Sequence, residues 1–587
     1  MLYKDLCRYY QRLEAETGKI AMMKILSDCF KKADPEEVDK IAYLTLGKLW
    51  PDWKGMPELG IGEKLTMRAI SRATGVDVKK IEDIYKRKGD LGETAAFLVS
   101  QKRMMTLFQK ELEVKDVYEA FKKIALASGP GAMDMKVRIL TGLLVSASPI
   151  EAKYIIRTVL GKLRLGVGEA TILAALADAF LGSDKYKDIV EEAYNKHPDI
   201  GYIAKLAVKG REALEHVKIE PGVPVRPMLA ERLSDPAEIL MKAGGKAYAE
   251  YKYDGERAQI HKKGDKIWIY SRRLENITYQ YPDVVEWAKK YIDAKEAIVE
   301  GEIVAIDPDT GDFRPFQELM HRKRKYDIHK VMEEIPVKVF LFDVLYLNGR
   351  EFLKKPYAER RKILESIIKP NENITLAQGR LIEKVEELEK LFLEAVSNGC
   401  EGLVVKNLSE IYVAGTRGWR WIKYKRDYKS EMADTVDLVV IGGFHGRGRR
   451  SGTYGALLVA AYNPDKDCFE SVCKVGSGFT DADLAELPRI LDKYKIPTKP
   501  KNVVTEMEPD VWFEPKVVME VIGAELTLSP VHRAAFDLVR ERLKKPAGIA
   551  IRFPRFVRWR PDKAPTDATT SKELFEMYLR QLKKLKE

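Results

Sequence analysis

The hydrophobic pattern of this chain changes from helical spacing to short alternating strands at a proline-rich passage, IEPGVPVRPMLAERLSDP, residues 219–236. Before it, apolar residues recur at three- and four-residue spacing, as in VYEAFKKIALASG and DAFLGSDKYKDIVEEAYNKH, which is the period of helices. After it come short alternating runs: YAEYKY, AQIHKKGDKIWIYS, AIVEGEIVAI, VKVFLFDVLYLNG, EGLVVK and WRWIKYK. One period cannot serve as the other, so the two parts cannot share an architecture. Helical stretches KPYAERRKILESII and KVEELEKLFLEAVSNG interrupt the strands, which predicts an α+β domain with antiparallel sheets. From residue 430 the chain is again strand-rich, in DLVVIGGF, GALLVAAYN, VVMEVIGAEL and IAIRFPRFVRW. Short strands with Gly turns fit a small β-barrel, an OB-fold being one candidate, and SKELFEMYLRQLKKLKE reads as a basic helix. At 587 residues the chain exceeds what one core supports. Three domains are expected: helical over 1–215, α+β over 216–428, and barrel with C-terminal helix over 429–587.

Composition narrows the partners. Lys and Arg number 101 against 89 Asp and Glu, a net charge of +12 that attracts polyanions, nucleic acid first and anionic membrane second, and charge alone does not choose between them. The five cysteines form no C-x-x-C pair, so a four-cysteine zinc site is not expected and reduced thiols are. The N-terminal stretch lacks the apolar core of a signal peptide, and no apolar run is long enough to span a bilayer. A cytoplasmic, nucleoid-associated monomer with no membrane contact is the expectation.

The stretch AEYKYDGERAQIH, residues 249–261, carries the central question. Asp254-Gly255 between two β-like runs is the commonest hairpin signature. Lys252 and Arg257 flank it closely, and a plain hairpin needs neither. Lys252 is either one more solvated lysine or a nucleophile. Other charged residues sit at strand ends or inside apolar strands: Arg272 in YSRRLENIT, Glu302 in VEGEIVAID, Glu401 opening EGLVVK, and Lys423 with Lys425 on one face of WRWIKYK. Singly, each has a bland reading. Glu302 fits a buried ion pair, Lys423 and Lys425 the solvated face of an edge strand, and Phe342 the core rather than a base-stacking platform.

Together they supply what attack on a nucleotide α-phosphate requires: a nucleophile, cations, carboxylates for Mg²⁺ and an aromatic face. A lysine nucleophile is demanding, since an ordinary lysine side chain is neutral only about one time in a thousand near pH 7.5. Gathered cations would lower that pKa. There is no P-loop and no H-E-x-x-H helix. In LGKLRLGVGEATILAALADAF, Lys162 and Arg164 precede a helix expected over Glu169–Phe180; a phosphate site and a glycine-rich turn are equally weighted there. GRGRRSG, residues 446–452, precedes a strand rather than a helix, so its Arg447 and Arg449 suggest a basic loop facing DNA or solvent.

EYKYDGERAQIH resembles the K-x-D-G-x-R motif of ATP-dependent DNA ligases of the archaeal and eukaryotic replicative type. The order of SRRLENIT, VEGEIVAID, FLFDVLYLNG, EGLVVK, WIKYK and RFPRFVRWRPDKAPTDATT is similar to that family's, and the likeness runs nearly end to end. It implies a DNA-binding helical domain, an adenylating nucleotidyltransferase domain and an OB-fold domain. It implies that Lys252 is adenylated, Glu250 reads the adenine edge, and Phe342 stacks on the base. Arg257 and Arg272 would contact ribose and phosphates, and Arg417, Lys423 and Lys425 the phosphates. Glu302 would face ribose or metal, and Glu401 would help hold Mg²⁺ or Mn²⁺. Arg560, Asp562 and Lys563 match the barrel-domain motif that orients pyrophosphate, with Pro561 departing from the usual Glu.

The implied chemistry is nick sealing in replication, repair and recombination, with ATP as the adenylate source. Lys252 takes AMP from ATP, passes it to a 5′-phosphate at a nick, and the 3′-hydroxyl displaces it. Nicked duplex DNA is the partner, and family analogy adds a sliding clamp. An RNA ligase or capping-type nucleotidyltransferase shares K-x-D-G but has no obvious use for the helical residues in front. A non-catalytic DNA-binding protein accounts for the charge alone.

Overall fold

The structure, a computed structural model, describes residues 1–102, 110–308, 311–323, 327–425, 432, 434–446 and 450–584. Arg447 and Arg449 therefore lie outside the described residues. The chain forms two compact units, Met1–Pro227 with Arg273–Asn276, and Met228–Arg272 with Ile277–Glu587. Among the described residues no helix is long and apolar enough to cross a membrane. All five cysteines are buried and unbridged.

The first unit is a stack of helices running from Tyr3–Glu14 to Arg211–Glu215. Its helices begin where short polar side chains satisfy the first backbone donors. Asp77 and Asp90 accept from the amides of Lys79 and Glu93, and Ser148 forms a capping box with Glu151. Helices end at Gly75 and Gly89, whose φ values of 74° and 70° suit only glycine well. One apolar core collects the inward faces, including Leu6, Phe30, Ile70, Phe121, Ile155 and Leu176. Each such fully buried side chain contributes about 2 kcal/mol, offset largely by chain entropy.

Eleven strands build the central part of the second unit: β1 (Leu229–Arg232), β2 (Ala247–Lys252), β3 (Glu256–Lys263), β4 (Lys266–Ser271), β5 (Glu296–Ala305), β6 (Val337–Leu347), β7 (Arg350–Glu351), β8 (Ile374–Leu376), β9 (Gly379–Ile382), β10 (Gly402–Asn407) and β11 (Arg417–Lys425). They form two sheets, ordered β1-β11-β10-β2-β9 and β4-β3-β5-β6-β7, with β8 beside β6. The pairing is mostly antiparallel; β1 with β11 and β6 with β8 are parallel.

This order corrects the hairpin expected at Asp254-Gly255. β2 and β3 do not pair; the chain crosses there from one sheet to the other. Gly255 does not have a positive φ. It is required because a Cβ there would stand 2.2 Å from the Ile303 carbonyl oxygen on β5. β11 is likewise an interior strand between β1 and β10, not the edge strand considered for Lys423 and Lys425.

The C-terminal part is a branched sheet. Strand Val436–His445 pairs with Tyr454–Asn463, Val511–Phe513 and Val518–Ile522, and its pairing with Tyr454–Asn463 carries two register shifts. The result is a half-barrel consistent with an OB-fold, filled by Leu438, Leu457, Val472, Met519 and Phe556. Leu574, Phe575 and Tyr578 of the C-terminal helix complete its core. Two runs read as single strands are each broken in two. VVMEVIGAEL divides into Val518–Ile522 and Glu525–Ser529, and IAIRFPRFVRW into Gly548–Arg552 and Arg555–Trp559. The second break falls at Phe553, with φ 50°, followed by Pro554. Strand Cys468–Val475 was not expected; its polar Glu470, Ser471 and Lys474 obscure an interior element.

Candidate active site

Register alone assembles one chemical face. Residues directly opposite in an antiparallel pair share a face of the sheet. Lys252 lies opposite Gly402, which lies opposite Lys425; Glu250 lies opposite Val404 and then Lys423; Tyr248 lies opposite Lys406 and then Trp421. Lys252, Glu250, Lys406, Lys423 and Lys425 therefore occupy one side of the β1–β9 sheet. Ala249, Tyr251, Leu403, Val405 and Ile422 occupy the other, packed with Leu388, Leu391 and Phe392. The second sheet approaches the chemical side. Tyr253 stacks on Phe340 of β6 at 4.0 Å between ring centroids, and Arg257 lies over Trp421 at 5.3 Å.

At the open end, Lys252 Nζ donates to Glu401 Oε2, and both side chains are about a quarter exposed, at 26% and 22%. The Glu401 amide donates in turn to the Lys252 carbonyl oxygen at 2.9 Å, so backbone and side chains lock the two together. Burial pushes the Glu401 carboxyl up, but Lys252 against it, with Lys425 and Arg552 nearby, holds it below the usual carboxylate range. Two more carboxyls respond oppositely. Burial, helped by Glu401 and Asp254, lifts Glu302 to about 7 despite Lys252 and Arg257. Burial and Glu401 raise Asp254 despite Arg552. Lys423 is lowered by burial and by Arg417, Lys252, Lys425 and Arg272.

A divalent cation suits this donor set. Glu401, Asp254 and Glu302 are hard oxygen donors; burial first, and acidic neighbours second, make Asp254 and Glu302 resist ionising, which a cation would relieve. Among the described residues no three His, Cys, Asp or Glu side chains form a ready-made cage.

Deeper in, the expected nucleotide contacts already have protein partners. Glu250 is 2% exposed and receives Arg361 Nη1 at 3.1 Å, the Tyr357 hydroxyl at 3.3 Å and the Lys406 ammonium. Arg257 sits opposite Glu302 in register, yet its guanidinium forks onto Glu300 at 3.0–3.2 Å and donates to the Met228 carbonyl oxygen at 2.7 Å. Tyr412 also donates to Glu300. The ion-pair reading weighed for Glu302 thus belongs to Glu300 instead. Phe342 meets Trp421 edge-on at 5.8 Å.

Arg417 and Arg272 stand near enough to act on Lys423, and the remaining expected residues lie elsewhere. Arg417 is exposed at the start of β11 and donates to the Ala230 carbonyl oxygen at 2.9 Å. Arg272 follows the end of β4. Arg560 and Lys563 are held within their own sheet by Asp437, at 3.4 and 2.6 Å, and Asp562 pairs with Arg560. In the first unit Lys162 and Arg164 are exposed, alternating with buried Leu163 and Leu165, ahead of helix Glu169–Leu181. Lys162 pairs with Glu63 at 2.9 Å, and Arg164 adopts φ 55°.

Sequence reasoning missed Asp254, treated as a turn residue, and also Glu300, Arg361, Lys406 and Arg552. Glu300 carried a signal, since it shares a strand face with Glu302 two residues on. Arg552, from the half-barrel, donates to the Gly399 carbonyl oxygen at 3.0 Å, just ahead of Glu401; nothing local marks it.

A lysine at a strand end between two sheets, with carboxylates and cations gathered around it, is the layout of a nucleotidyltransferase-type domain. Family models agree along the chain: DNA ligase N terminus over residues 2–177, ATP dependent DNA ligase domain over 227–425, and ATP dependent DNA ligase C terminal region over 450–563. Curated relatives named DNA ligase, from Staphylothermus marinus, Hyperthermus butylicus and Sulfophobococcus zilligii, are 57%, 56% and 58% identical to it. Those matches cover 100%, 100% and 98% of this chain and 100%, 98% and 96% of theirs. The chain belongs to the ATP-dependent DNA ligase family.

Proposed function

We infer that this chain seals nicks in duplex DNA using ATP, with Lys252 as the residue that carries AMP. The observation that carries the assignment is the Lys252–Glu401 contact at the mouth of the chemical face, with Asp254 and Glu302 beside it. Lys252 Nζ first gives up a proton, for which Glu401 is the carboxylate in contact, and the neutral amine attacks the α-phosphorus; a P–N bond forms, and the P–O bond to pyrophosphate breaks. AMP then passes to the 5′-phosphate at the nick, converting an oxygen that cannot leave into one that can. The 3′-hydroxyl attacks that phosphate and AMP departs. Lys423 and Lys425 are suited to the charge developing on phosphorus, and Arg272 and Arg417 to the phosphates beyond. Mg²⁺ or Mn²⁺, held by Glu401 and Glu302, would neutralise phosphate oxygens.

The finer assignments are those that the family resemblance implies. Glu250 reads the adenine edge, Phe342 offers the base a ring face, and Arg257 positions the ribose from its fork on Glu300. Arg560 and Lys563 act when they exchange Asp437 for pyrophosphate. Lys162 and Arg164 contact DNA phosphate, a role supported by their exposure. The domain division is helical 1–215, adenylating 216–428 and OB-fold 429–587, and is supported by the three family matches and the separate sheets. A sliding-clamp contact and a monomeric state rest on family analogy.

Incubation with α-labelled ATP tests the reading. The expected result is a protein-bound label, formed from ATP in preference to GTP and discharged by nicked DNA. A label from GTP, passed to RNA ends and not to nicked DNA, would favour the capping or RNA-ligase alternative.

A further inference from the structure

Lys406 is 1% exposed, and a buried ammonium is costly unless something specific compensates it. It lies on β10 one register step from Glu250, and its Nζ meets the Glu250 carboxylate. Among the described residues no acceptor of good hydrogen-bond geometry meets that nitrogen. Three rings enclose it instead: Trp421, Phe342 and Tyr357, with centroids at 4.3, 4.5 and 4.9 Å. Such a cage accepts a cation through the negative ring faces.

The cage has a reason in the residue it serves. The Glu250 carboxylate is buried at the level of Phe342 and is held from its other side by Arg361 and Tyr357. An ionised carboxylate accepts from an exocyclic amine and repels a carbonyl oxygen. In purine terms it accepts adenine N6 and rejects guanine O6. Turned away from the base edge, it would lose that discrimination. Arg361 alone leaves one carboxylate oxygen without a cation.

We propose that Lys406 is a positioning residue for base selection: caged by Phe342, Trp421 and Tyr357, it pairs with one oxygen of the Glu250 carboxylate and holds it aimed, and so sets the preference for adenine over guanine. This rests on the reading of Glu250 as the adenine contact. The variant Lys406→Met keeps the length and removes the charge.

The test measures self-adenylation kinetics of the full chain with ATP and with GTP, alongside the shift in unfolding temperature that each nucleotide induces. For Lys406→Met the ATP KM should rise about tenfold and the ATP-over-GTP ratio of kcat/KM should fall at least about tenfold, with kcat within about threefold of wild type. The ATP-induced thermal shift should shrink and the GTP-induced shift should not. Equal losses for both nucleotides, with kcat reduced and the ratio unchanged, would mean a merely structural lysine and overturn the proposal. Should Lys406→Met not fold, Lys406→Gln, which keeps a polar head without charge, must show the same fall in the ratio. Glu250→Gln separates the two claims. If it keeps the full ATP preference, the adenine reading of Glu250 is wrong; if it loses the preference while neither Lys406 variant does, the role of Lys406 is wrong.

Discussion

Burial and acidic neighbours lift the Glu302 carboxyl to about 7, whereas an unfolded-chain Glu titrates near pH 4.3. A carboxyl raised on folding stabilises the fold fully below its unfolded pKa, and that contribution is lost as pH climbs through the folded value. Glu302→Gln does not ionise. Its unfolding midpoint should therefore rise relative to wild type, by roughly 2–4 °C, as pH is taken from about 5 to about 8 without metal. A difference that stays flat with pH would show Glu302 ionising normally and the carboxylates standing apart. The gathering of charge around Lys252 was legible because its motif concentrates charge around a glycine. Glu300 carried only its alternation with Glu302, which could not rank the two. Glu300 and Glu302 alternate identically in sequence, and a register shift between β5 and β6 after Glu300 is a tertiary matter.

The crossing from β2 to β3 shows how a strong local signal can lose to long-range pairing. Asp-Gly between two β runs favours a hairpin, but β2 finds its neighbours in β9 and β10, more than a hundred residues on. No local pattern announces those partners. Gly255 serves the close passage of two backbones, which predicts a specific sensitivity. Gly255→Ala places a methyl 2.2 Å from the Ile303 carbonyl oxygen. It should destabilise the second unit by about 3 kcal/mol and slow adenylation about a hundredfold by displacing Lys252. Chemical denaturation and single-turnover labelling measure these; a variant as stable and fast as wild type would contradict the crossing. The half-barrel's broken strands were illegible for a related reason. Gly548–Arg552 and Arg555–Trp559 both read as strand, and only their partners reveal that they join different sheets.

Across the whole chain the change of period was the most readable feature, and the division between the two compact units falls inside the proline-rich passage, at Pro227–Met228. The +12 charge fits a phosphate-tracking protein but identifies no DNA-contacting residue. If binding is dominated by phosphate contacts, affinity for a nicked duplex should fall at least about a hundredfold between about 50 and 200 mM salt. Self-adenylation without DNA should change less than about threefold over that range, because its charges are partly buried. A salt-insensitive affinity would point to base-edge or apolar contacts instead.

The central claim is that one amine, now held by Glu401, becomes bonded to phosphorus. Labelling with α-labelled ATP, followed by acid and alkali stability tests and peptide mapping, addresses it most directly. The label should be acid-labile and alkali-stable, as a phosphoramidate is, and should map to the peptide containing Lys252. It should be absent from Lys252→Ala and from Lys252→Arg, whose guanidinium stays protonated and cannot attack. Label on any other residue, or normal sealing by the arginine variant, would contradict the account.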